Sequence, residues 1–133
     1  MPDSILAVVG DSAAPSLALL NSNICSRYIL LFTKEHASYC ALMKTYCDSN
    51  FPDVEVQTHE IPSIANPSEN VKFAMKFMSA MDEQEKCSTG IFLTGGAKQT
   101  ILPFLIHSQS SSMISLRKNP LCLIIDRGSE DND

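Results

Sequence analysis

Six residues, Thr94-Gly95-Gly96-Ala97-Lys98-Gln99, join the apolar run Thr89-Gly90-Ile91-Phe92-Leu93 to a segment with helical character. A strand, a glycine turn and a helix start together make an anion site. Gly95 and Gly96 let backbone N–H groups approach a ligand closely. The helix N-terminus adds about half a positive charge and Lys98, in the first turn, adds a full one. Phosphate is the natural guest of such a site, although Gly-Gly pairs also occur simply to make tight turns. A second loop of small polar residues, Gly10-Asp11-Ser12-Ala13-Ala14-Pro15-Ser16, follows the apolar run Ile5-Leu6-Ala7-Val8-Val9.

The elements around these loops decide whether they meet. Ile5 to Val9 and Tyr28-Ile29-Leu30-Leu31-Phe32 are continuous apolar runs, as expected of strands covered on both faces in a parallel sheet. Ile91-Phe92-Leu93 and Leu121-Cys122-Leu123-Ile124-Ile125 repeat the pattern. Val54-Glu55-Val56-Gln57-Thr58 alternates apolar and polar, which suits a strand near an edge. Between these runs lie helical patterns. From Pro67 to Gln84, Val71, Met75, Met78 and Met81 recur at steps of three and four and are expected to face the core. Asn66 is the expected cap of that helix and Pro67 its first residue. A second helix near His36 to Cys47 is expected to turn Tyr39, Leu42, Met43 and Tyr46 to the sheet, a third follows Pro15 and a fourth follows Gly96. Pro103 interrupts the fourth at a cost of about 3 kcal/mol unless it marks a kink. Ser108-Gln109-Ser110-Ser111-Ser112 reads as a mobile loop before the last strand.

Five strands alternating with four helices imply an α/β, Rossmann-like architecture: an open, mostly parallel sheet with right-handed crossovers and helices on both faces. With strand order 3-2-1-4-5, the connections after strands 1 and 4 leave toward opposite faces and open a crevice at their carboxyl ends. Both polar loops fall there.

The whole chain narrows the function classes. Its 133 residues suit one domain, with residues 1–128 as the ligand-binding body and 129–133 as an acidic tail or linker stub. A 44% hydrophobic and 19% charged composition is that of a globular protein. No apolar stretch approaches the roughly 20 residues needed to cross a bilayer, and Met1-Pro2-Asp3-Ser4 lacks the basic start of a leader, so a cytoplasmic, membrane-free protein is expected. Cys25, Cys40, Cys47, Cys87 and Cys122 form no C-x-x-C pair and read as reduced core thiols; Cys40 and Cys47 share one helix face. No metal and no cofactor is expected. A net charge of −5 argues against long duplex nucleic acid and leaves room for a small anion.

Familiar phosphate motifs do not match. Gly10 does not open a G-x-G-x-x-G, there is no G-x-x-x-x-G-K-[ST], Asp126-Arg127-Gly128 stands where a receiver domain would carry a lysine, and Gly10-Asp11-Ser12 is no G-x-S-x-G elbow. The chain instead resembles the CARF domain, the CRISPR-associated Rossmann fold. The resemblance rests on the Gly-Asp-Ser-x-x-Pro loop after strand 1, Leu31-Phe32-Thr33-Lys34-Glu35 ending strand 2, and Thr94-Gly95-Gly96-Ala97-Lys98 after strand 4. It spans about Ile5 to Arg127, and T-G-G-x-K is its most specific element. Ala97 stands where the family often has Thr, and Phe92 where it often has Asn.

The resemblance implies a homodimer that binds a cyclic oligoadenylate, most often the tetra-adenylate made by type III CRISPR complexes, across its two-fold axis. The implied binding residues are Gly10, Asp11, Ser12, Ala13, Thr94, Gly95, Gly96, Ala97, Lys98 and Gln99. Asp11 would oppose phosphate and is expected to turn to ribose hydroxyls or backbone N–H groups. Some members of the family also open the ring without metal; here Ser12 would orient the 2′-hydroxyl and Lys98 would stabilise the developing charge. No histidine lies in either loop, which argues against strong general-base catalysis. The resemblance implies either a sensor domain whose effector domain lies outside this chain or a stand-alone protein that titrates or degrades the messenger; an unrelated Rossmann-like nucleotide-binding or interaction module is the remaining alternative.

Overall fold

The computed structural model describes residues 3–12, 14–62, 66–82, 84–85, 88–92, 98–106, 112–116 and 123–126, with 98–99, 105–106, 112–116 and 123–126 described by their backbone alone. Six strands form one sheet in the order β3-β2-β1-β4-β5-β6. They are β1 (Ser4–Val8), β2 (Arg27–Phe32), β3 (Glu55–Glu60), β4 (Thr89–Phe92), β5 (Ser112–Leu116) and β6 (Leu123–Asp126). The first five run parallel, and β6 returns antiparallel beside β5. Helices α1 (Ala14–Ser22), α2 (Ala37–Asn50), α3 (Pro67–Ser79) and α4 (Lys98–Ile106) make the crossovers, with a 3₁₀ turn at Lys34–His36 ahead of α2.

The apolar runs do what buried parallel strands require. In β1 and the residue after it, Ile5, Ala7 and Val9 pack on one face with Leu19, Leu20, Tyr28, Cys40, Met43 and Cys47. Leu6 and Val8 pack on the other with Ile29, Leu31, Ala74, Met78, Ile101 and Phe104. The period of two thus divides one run between two cores, one under α1 and α2 and the other under α3 and α4. Tyr28 is fully buried, and its hydroxyl donates to the Leu19 carbonyl at 3.2 Å, joining β2 to α1. The alternating strand β3 lies at the sheet edge, as its pattern requires.

Several sequence expectations change in the structure. β5 includes Ser112 and continues through Leu116, where only a loop ahead of the last strand was expected, so the sheet has six strands and the last runs Leu123–Asp126. At Ser112, pairing with Gly90 of β4 overrides the turn-like composition. In α3 the expected stripe is wrong at two positions: Val71 and Met75 are 45% and 48% exposed, whereas Asn70, Ala74 and Met78 are buried. The inward face is set by a ring cluster in which Phe73 and Phe77 each meet Phe104 at about 6 Å between centroids (6.2 and 6.1 Å), and by Ala74, which allows close approach to the sheet. The helix also stops at Ser79, short of Gln84, because Asp82 and Glu85 cap a new turn reciprocally, the Asp82 carboxylate accepting the Glu85 N–H at 2.8 Å.

In α2, Cys40, Met43 and Cys47 face the core, while Leu42 is 66% exposed and Tyr39 also points outward. Small thiols bring that helix nearer the sheet than tyrosines would. Tyr46 is half-buried, with its hydroxyl donating to Asn21 Oδ1 at 2.7 Å. Helix α4 runs through Pro103 without ending there, and Pro103 itself is buried. Asn66 and Pro67 begin α3 as expected, but the Asn66 side chain makes no capping hydrogen bond. The Ser108–Ser111 segment, Cys87, Cys122 and the acidic tail 129–133 lie outside the described residues.

Candidate functional site

Strand β1 has β2 on one side and β4 on the other, so the chain leaves β1 and β4 toward opposite faces and the crevice opens between their carboxyl ends. The ladder continues past β1, with the Val9 N–H donating to the Leu31 carbonyl at 2.8 Å, so Gly10 emerges from a buried edge. Asp11 and Ser12 are exposed beyond it. Ser12 Oγ accepts the Ala14 N–H at 3.4 Å, a local contact at the start of α1 that leaves the hydroxyl proton free to donate. On the far side of the crevice Phe92, fully buried, ends β4, and Lys98 and Gln99 open α4. The structure thus brings Gly10, Asp11 and Ser12 to one switch point with the start of α4. Ala13, Thr94, Gly95, Gly96 and Ala97, and the side chains of Lys98 and Gln99, lie outside the described residues.

Asp11 turns neither to a backbone N–H nor into open solvent alone. Its Oδ1 lies 2.7 Å from His36 Nε2, a residue of the 3₁₀ turn that follows β2. His36 Nδ1 lies 3.2 Å from Thr33 Oγ1, and the Thr33 hydroxyl donates to Glu35 Oε1 at 2.9 Å. Tyr39, one turn on in the chain, stacks on the imidazole with centroids 6.4 Å apart and planes 11° from parallel. A histidine therefore does reach the β1 loop, contrary to the expectation drawn from loop composition. The signal was positional: β1 and β2 are parallel neighbours with Val8 opposite Leu31, so residues just past β2 stand beside those just past β1.

The other crevice wall is tied together from below. Asn70 of α3, itself buried, donates from Nδ2 to the Thr100 carbonyl in the first turn of α4 at 3.4 Å. Among the described residues no three His, Cys, Asp or Glu side chains gather as a metal site, and no helix is long and apolar enough to cross a membrane.

No protein-family model and no curated protein matches the sequence. Solved structures do match in fold. Protein VC1899 from Vibrio cholerae superposes with a TM-score of 0.78 at 11% identity, over 98% of this chain and 34% of its own. Can2 from Sulfobacillus thermosulfidooxidans, solved in complex with cyclic tetra-adenylate (cA4), superposes with a TM-score of 0.72 at 13% identity, over 95% of this chain and 35% of its own. The chain spans about a third of the length of either protein. Its fold is CARF-like: a Rossmann-type α/β sheet of the kind the sequence resembles.

Proposed function

We propose that the chain binds a cyclic oligoadenylate, in the first instance cyclic tetra-adenylate, across the two-fold axis of a homodimer, as the cytoplasmic sensor part of a type III CRISPR antiviral response. The observation that carries this reading is the convergence of the Gly10-Asp11-Ser12 loop and the start of α4 at one switch point, in a fold shared with a protein solved with cA4 bound. Charge supports the dimer. The ring carries four phosphate charges, whereas one protomer offers Lys98 and two helix N-termini of about +0.5 each, so two protomers supply roughly +4 before Asp11 is counted.

The surface supports a second copy as well. Val71 and Met75, one turn apart on α3, and Leu102 of α4 are exposed apolar side chains in helices that start at the crevice end of the sheet. Glu69, Lys72 and Lys76 share the shallow pocket that Met75 lines, so both charge signs are available for self-complementary pairing across a two-fold axis. An effector domain outside this chain fits the greater length of its structural neighbours.

Metal-free ring opening is the second reading, and the exposed Ser12 hydroxyl at the crevice favours it. The ribose 2′-hydroxyl would attack the neighbouring phosphorus and the 5′-oxygen would leave with a proton, giving a linear product that ends in 2′,3′-cyclic phosphate. Ser12 would orient the nucleophile, and Lys98 with the Gly96 and Ala97 N–H groups would hold the developing charge.

One experiment tests both readings: titration with three-, four- and six-membered cyclic oligoadenylates in EDTA, followed by chromatography of the ligand. The four-membered ring should bind best, and Lys98→Ala should lose about 1.5–3 kcal/mol for each charge-assisted contact, with an unchanged circular dichroism spectrum. Unchanged affinity in Lys98→Ala would refute the assigned site. A ring recovered intact after long incubation would leave a sensor and remove the nuclease.

A further inference from the structure

The hydrogen atoms around His36 do not add up for a neutral ring. Thr33 has one hydroxyl hydrogen, and it is directed to Glu35 Oε1, so the 3.2 Å contact to His36 Nδ1 needs a hydrogen on that nitrogen. An ionised carboxylate only accepts, so the 2.7 Å contact between Asp11 Oδ1 and His36 Nε2 needs a hydrogen there too. All three contacts are satisfied together by imidazolium. A neutral His36 must give one of them up.

This matters because Asp11 stands where an anionic ligand would enter. The Asp11 side chain is fully exposed at the mouth of the crevice, while His36, 13% exposed, is held behind it by Thr33 and by the Tyr39 ring. Among the described residues, the charged groups joined to the imidazole by hydrogen bonds are Asp11 from the β1 loop and, through Thr33, Glu35 from its own turn. Among the described residues, no lysine or arginine is paired with Asp11. The cluster Asp11, Glu35 and His36 thus carries one net negative charge with imidazolium and two without it. A cyclic oligoadenylate keeps the same phosphodiester charge across neutral pH, so any change in repulsion must come from the protein.

We propose that His36 is a positioning residue of the ligand crevice: its imidazolium holds and neutralises the Asp11 carboxylate, so that the β1 loop admits an anionic phosphodiester ring. The inference rests on the crevice being the ring site. It makes affinity depend on pH, because the net charge of the Asp11, Glu35 and His36 cluster changes by one with the second proton on the ring. Binding strengthens as pH falls and weakens as pH rises.

The test is a titration with cyclic tetra-adenylate at about pH 6 and about pH 8, in wild type, His36→Gln, His36→Arg and Asp11→Asn. Wild type should bind about tenfold more tightly at the lower pH, the size expected for one charge near the ring in each of two protomers. His36→Gln keeps a hydrogen-bond donor but no charge, and should bind weakly at both pH values. His36→Arg carries a permanent cation and should bind tightly at both. Asp11→Asn should bind more tightly than wild type at the higher pH.

A pH dependence that survives in His36→Gln, or an Asp11→Asn protein that binds more weakly than wild type at the higher pH, would overturn the inference. The latter would make Asp11 a direct ligand contact instead. Binding that is equal in all four proteins overturns the inference and leaves the ring site standing. No ring binding by any of them removes both.

Discussion

Asp11 and His36 are 25 positions apart in the chain and 2.7 Å apart in space. Composition read each loop correctly, as small, polar and free of histidine, but it could not see that the parallel register of β1 and β2 sets the end of one strand beside the end of the other. The cysteines were easier to read. Cys40 and Cys47 sit seven positions apart on one helix face, and both are buried under α2 as that spacing requires.

Burial alone pushes the Cys40 thiol from its usual 9.0 up to about 11, since no charged neighbour offsets the cost of desolvating a thiolate. In the unfolded chain the thiol ionises from about pH 9, whereas in the fold it keeps its proton to about pH 11. The stability it contributes is therefore complete below about pH 9 and lost between about 9 and 11, at about 1.4 kcal/mol per pH unit. Denaturant melts at stepped alkaline pH should show Cys40→Ala losing stability less steeply than wild type over that interval. Equal slopes would mean that the Cys40 thiol is not protonated by burial.

At the scale of elements, the sequence identified the strands with continuous apolar runs and located each helix, but it misjudged which arc of a helix faces inward. Helix α3 carries two apolar arcs, Val71 with Met75 and Phe73 with Ala74, Phe77 and Met78, and spacing alone does not rank them. Ring volume and the need for a small residue at closest approach do. Ala74 and Met78 are fully buried, and the Phe73–Phe77–Phe104 cluster fills the space beside them. Met78→Ala should accordingly cost about 2–5 kcal/mol in unfolding free energy, while Met75→Ala in the isolated protomer should stay within about 0.5 kcal/mol. Chemical denaturation of the two variants distinguishes the faces, and equal losses would contradict this packing.

Strand β5 was hidden for a related reason. Its serines have turn-like propensity, and the ladders to β4 at Ser112 and to β6 at Ser115 make them a strand, a tertiary effect that no local pattern carries. The antiparallel β6 then closes the sheet beside it. Three of the four helix starts were more legible, because Pro15, Pro67 and the Gly95-Gly96 pair are local sequence signals with local causes.

For the molecule as a whole, two cores on opposite faces of one sheet hold β1 and β4 side by side, and that single adjacency creates the crevice. The architecture was readable because buried parallel strands announce themselves as apolar runs and because alternating strands and helices admit few topologies. The ring, the dimer and the effector were implied by resemblance, and charge bears on the dimer alone: a protomer with a net charge of −5 offers a tetra-anion too little positive field by itself. A ring with four phosphate charges therefore requires a site shared by two protomers. The measurement that tests it most directly is isothermal calorimetry of cyclic tetra-adenylate binding, with light scattering on the same samples. It should give one ring for every two chains and a dimer in the complex. A monomer binding one ring per chain, or no heat of binding at any accessible concentration, would contradict it.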